Sequence, residues 1–151
     1  DLVVVCLASL MPAASAYQCK APRDFEEEAE RAQAIFEGRI ARIDQTPEGY
    51  QIVFMVEHAW KGMGPDQEAA VFSKTLGDFY GACTDALTVG EQYLVYAHGR
   101  SGALAFEPCG RGVGKGECDR TKRLKSSRED LQALASRFRS PSGDASDPAT
   151  P

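Results

Sequence analysis

Apolar positions along this chain recur first at helical spacing, then at alternate residues, then at helical spacing again. Residues 24–36 (DFEEEAERAQAIF) place Phe25, Ala29, Ala32 and Phe36 on one face, which predicts a helix. Asp24 can cap its start, with Glu27 three residues on, and acidic side chains crowd the first turn, where the helix dipole favours them. The acidic run reads as the solvated side of this helix.

From Ile35 the period becomes two. Ile35–Ile43 sets Phe36, Gly38 and Ile40 against Glu37 and Arg39. Tyr50–Lys61 sets Ile52, Phe54, Val56 and Trp60 against Gln51, Glu57 and Lys61, and His58 continues the inward row. Thr46-Pro-Glu-Gly49 between them is turn chemistry, so the two form a hairpin. Further strands are expected over Ala69–Thr75, Gln92–His98 and Ala103–Glu107. Helical spacing returns at Leu131, Leu134, Ala135 and Phe138, behind Ser126-Ser-Arg-Glu129, which fits a capping box. Beyond it, SPSGDASDPATP has no apolar residue larger than alanine and reads as disordered. Five short strands with a helix at either end, in about 120 residues, predict a mainly β fold, a five-stranded OB-type barrel.

The N-terminus alters the picture of where this barrel works. Leu2–Met11 is an apolar run too short to span a bilayer, and Ala14-Ser15-Ala16 follows as a cleavage pattern. The expected organisation is therefore a truncated signal peptide over 1–16, the barrel domain over 17–138 and the tail over 139–151. Cys6 leaves with the signal, so four cysteines remain, Cys19, Cys83, Cys109 and Cys118, an even number that predicts two disulfides in a secreted or periplasmic protein.

Charge and chemistry narrow the function. The net charge of −5 argues against nucleic acid as a partner. Residues 107–120 (EPCGRGVGKGECDR) resemble a phosphate loop only superficially. The pattern requires Gly where Cys109 stands and a hydroxyl where Gly116 stands. His58 and His98 read as structural, zinc-finger spacing is absent, and Glu117 and Asp119 sit on a loop with no apparent apolar pocket to raise a pKa. The expectation is no enzyme, no cofactor and no metal. One local surplus stands out. Between Arg111 and Arg128 seven basic residues face two acidic ones, so Arg111, Lys115, Arg120, Lys122 and Arg123 are candidates for an anionic surface or polymer.

Taken in order, Cys19, AIFEGRI at 34–40, VEHAWKG at 56–62, Cys83, VGEQYLVYA at 89–97 and CDRT at 118–121 resemble the TIMP-like (netrin-like) OB-fold family, notably its bacterial exported members. The resemblance covers roughly residues 19–138. It implies a barrel whose disulfides tether the N-terminal segment, without catalysis of its own. It also implies a monomer that binds a protein partner, an extracytoplasmic protease among the candidates, through Tyr17, Gln18, Cys19 and Lys20. Family inhibitors of metalloproteases chelate zinc through an N-terminal cysteine. Here Tyr17 and Gln18 precede Cys19 and the family's second N-terminal cysteine is missing, and both departures weigh against chelation. The resemblance favours Cys19–Cys83 with Cys109–Cys118, and leaves Cys19–Cys118 with Cys83–Cys109 open.

Overall fold

A computed structural model describes residues 19–77, 83, 86–100, 102–109 and 117–138. The expectations for the signal peptide, Tyr17, Gln18, Arg111, Lys115 and the tail lie outside the described residues. The elements run β1 (Ala21–Pro22), α1 (Phe25–Arg31), β2 (Ala34–Thr46), β3 (Gly49–Lys61), β4 (Glu68–Ser73), β5 (Gln92–Arg100), β6 (Ala103–Ala105), β7 (Glu117–Cys118), β8 (Lys122–Arg123) and α2 (Arg128–Arg137). A single 3-10 turn, Leu124–Ser126, leads into α2.

Strands β2, β3, β4, β6 and β5 pair in that order, and β5 returns to β2, closing a five-stranded barrel. All its pairings are antiparallel except β4 with β6. This order and the single parallel pair are those of an OB-type barrel. Closure requires β2 to bend, and its register against β3 shifts between Ile35 and Phe36, between Glu37 and Gly38, and between Ile40 and Arg42. Each bulge raises the local twist that curls a sheet onto itself.

Two apolar clusters result. Inside the barrel, Phe54 meets Phe36, Tyr93 and Phe106 edge to face, with centroids 5.6, 6.3 and 6.2 Å away. Outside it, Ala29 and Ala32 from the α1 end and Leu134 of α2 cover Ile35, Leu94 and Tyr96. Strand β5 is thus buried on both faces over Tyr93–Ala97, which is why QYLVYA reads as an unbroken apolar run.

The structure revises several local expectations. The first helix ends at Arg31, not at 36, because Gln33 N–H donates to Ala97 O (2.8 Å) and the chain joins β5 as a strand. Phe36 consequently enters the barrel. The bulge beside it turns Trp60 to the helix layer, while His58 is exposed and meets Trp60 edge-on at 4.5 Å. The cap of α2 is Ser127, not Ser126; its hydroxyl donates to Arg123 O (2.8 Å) and accepts no bond from the helix N–H groups.

Candidate functional site

The N-terminal segment is fastened to the barrel at several points. Cys19 is bonded to Cys83 and Cys109 to Cys118, so of the pairings open from sequence the structure holds this one. Strand β1 runs parallel to β7, Arg23 N–H donates to Cys118 O (3.1 Å), and Lys20 pairs with Glu107 at 3.1 Å. Cys19, Ala21 and Pro22 nevertheless remain exposed. The result is a short, fixed, solvent-facing ridge.

Beneath the ridge lies a buried polar cluster. Glu28, on α1, is fully buried, not solvated as its acidic run suggests. Its carboxylate takes Arg23 on one oxygen (3.3 Å) and His98 Nε2 on the other. A buried carboxylate requires such partners, since desolvation penalises an isolated charge by several kcal/mol. Asp119 is buried as well. Its Oδ1 accepts Thr121 N–H at 2.9 Å and its Oδ2 accepts Glu107 N–H, tying the chain after β6 to the chain after β7. Burial pushes its carboxyl up to about 6, against the lowering effect of those amide bonds, with the charge of Glu28 adding to the rise. The sequence reading that no apolar pocket would raise a pKa here is therefore corrected: the barrel wall supplies one.

A second cluster fastens α2. Asp130 accepts a forked pair of bonds from Arg120 (2.9 and 2.7 Å), one from Lys122 (2.9 Å) and one from the Tyr96 hydroxyl (2.7 Å). Burial alone would raise the Asp130 pKa, but these donors outweigh it and hold the carboxyl at about 2. Burial and the Asp130 carboxylate raise the Tyr96 phenol well above its usual range, and the bonds to Asp130 raise Arg120 further. Arg120 also donates to Arg23 O (2.9 Å), joining this cluster to the ridge. Of the candidate anionic surface, Arg120 and Lys122 are thus committed to Asp130, and Arg123 lies in β8, paired with Tyr93 of β5. Among the described residues, the candidate cations Arg120 and Lys122 thus face Asp130 and do not form an open patch.

Beside the ridge, a cavity of about 490 Å³ opens between the N-terminal segment, α1 and the ends of β4, β5 and β6. Lys20, Arg23, His98 and Asp119 all reach it. Sequence reasoning missed Glu28, Asp119 and Asp130 as partners in buried clusters. One hint was available for Glu28: its position three residues after Phe25 and one before Ala29 lies on the apolar side of α1. Among the described residues no group of three or more His, Cys, Asp or Glu side chains could hold a metal ion, and no helix is long and apolar enough to cross a membrane.

Fold and braces define a class: a small, mainly β, OB-type barrel with a helix at each end and two disulfides, which point to an oxidising environment. Comparison with protein-family models gives no match, and comparison with curated proteins gives none either.

Proposed function

We propose that this protein is an exported, non-enzymatic binding module that presents its disulfide-tethered N-terminal segment to a protein partner in the periplasm or outside the cell. The observation that carries this reading is the ridge itself: Cys19, Ala21 and Pro22 are exposed, yet the segment is held by a disulfide, a strand pairing and an ion pair. A segment ordered before binding loses less conformational entropy on association, which favours affinity. The barrel order and the tether also support the TIMP-like (netrin-like) resemblance.

Photocrosslinking tests the proposal. A crosslinker at position 20 of the oxidised protein, with position 42 on β2 as control, is offered the extracytoplasmic fraction. Binding through the ridge gives a discrete adduct at position 20 alone, lost in the Cys19→Ser, Cys83→Ser double variant. Equal adducts at both positions, or hydrolysis of ester, peptide or phosphate substrates by the pure protein, refute it.

A sharper form of the same reading is metalloprotease inhibition through Cys19, favoured by the fixed, exposed position of that residue. It requires a mature chain that starts at Cys19, which intact mass decides. A start at Tyr17 together with no inhibition of zinc proteases removes it.

A further inference from the structure

The cavity beside the ridge has the size of a small-molecule site, for which roughly 300–1,000 Å³ is usual. Its lining combines an apolar surface with unspent positive charge. Phe72, Ala105, Phe106 and Pro108 supply the apolar part, from the ends of β4 and β6. Four cationic side chains, Lys20, Arg23, Arg31 and Lys74, line it against two carboxylates, Glu107 and Asp119.

Those carboxylates are already engaged. Glu107 holds Lys20, and the Asp119 oxygens accept two backbone N–H groups. Of the cations, Lys20 is held by Glu107 and Arg23 by Glu28, and the other two are less committed. Among the described residues Lys74 has no hydrogen-bond or ion-pair partner, and Arg31 has only an exposed pair with Glu27 one turn away (3.0 Å). Such an exposed pair is weak, so a ligand acid can compete for that guanidinium. His98, whose Nε2 is on Glu28, also faces the cavity.

We propose that this cavity binds a small amphipathic anion, an apolar chain or ring bearing one carboxylate or sulfonate, with the acid on Lys74 and Arg31 and the body against Phe72 and Phe106. The site adjoins the ridge through Lys20, but its acid and apolar contacts lie on Lys74, Arg31, Phe72 and Phe106, so it does not depend on the partner-binding reading. A cationic ligand would be repelled by Lys74 and Arg31, and a neutral one would leave Lys74 without an ion-pair partner. The anion alone satisfies both halves of the lining.

The test uses octanoate as probe, with octyltrimethylammonium and octanol for comparison, on the oxidised full chain at pH 7, followed by amide chemical shifts. Octanoate is expected to give saturable shifts centred on Lys74, Phe106 and Asp119. Lys74→Glu is expected to weaken it at least about tenfold, since it replaces a charge-assisted bond by repulsion. Lys74 is exposed and bonded to nothing described, so this variant keeps the fold, which an unchanged amide spectrum outside the cavity verifies. Lys125→Glu, an exposed charge change away from the lining, is expected to leave affinity within about twofold. Absence of saturable shifts, equal binding of the ammonium probe, or equal weakening by the two variants overturns the proposal.

Discussion

At the scale of single residues, the two buried aspartates act on stability in opposite directions. Asp119 has a folded pKa of about 6 against an ordinary 3.8, so its protonated form is favoured by folding. Its contribution is fully present below the ordinary value and is lost as pH rises through the folded one. The difference is on the order of 3 kcal/mol between pH 4 and pH 7. Asp130, held at about 2, contributes above its ordinary value and loses that contribution as pH falls toward 2. Chemical denaturation across pH should show this pair favouring stability near pH 4. Asp119→Asn should remove most of the decline from pH 4 to 7, because it deletes the carboxyl whose burial produces it. Parallel profiles for the two would refute the assignment. Arg120→Met leaves Asp130 buried with one cation fewer and should destabilise by about 3 kcal/mol in urea titrations, as breaking a buried pair does.

At the scale of elements, the bend of β2 and the turn after β3 carry the closure. Gly62 follows β3 with φ of 77°, and a Cβ there would stand 2.0 Å from Gln33 O, in the link between α1 and β2. Gly62→Ala should therefore destabilise by at least about 2 kcal/mol through backbone strain and steric conflict. A urea midpoint equal to the parent's would show that the link can yield. The elements themselves were largely legible in the sequence. Tyr50–Lys61 reads as a strand because Ile52, Phe54 and Val56 share one face while Gln51, Glu57 and Lys61 lie on the other, and the observed β3 differs by one residue at its start. Legibility failed where one segment answered two patterns. Ala32–Phe36 satisfies helical spacing from Phe25 and strand alternation toward Ile40, and pairing with β5 resolves the conflict in favour of the strand. Local periodicity cannot show which long-range partner will be present.

At the scale of the whole molecule, the braces have different reach. Cys19–Cys83 closes a loop of 64 residues' separation and Cys109–Cys118 one of 9. In the chain-entropy model the first stabilises by about 4 kcal/mol and the second by about 3. Cys19→Ser with Cys83→Ser should lower stability more than the 109/118 double variant and should free the ridge. Faster hydrogen exchange at Lys20 and Ala21 would register that release. Equal stability loss and unchanged exchange would show that β1 pairing and the Lys20–Glu107 contact suffice to hold the segment. The candidate site was the least legible part. Arg120, Lys122 and Arg123 read as a surface charge run, yet the fold turns the first two onto Asp130, eight to ten residues away and on the far side of a helix start.

The sequence by itself determined the barrel strands and the helix at each end, because these depend on periodicity and composition among near neighbours. Only the tertiary structure decided that Glu28 and Asp119 are buried, that His98 meets Glu28, and that a charged cavity opens beside the ridge. Those outcomes arise from residues far apart in the chain, such as Glu28 and His98. The protonation and exposure of a polar side chain depend on what the fold packs against it, not on its neighbours in sequence.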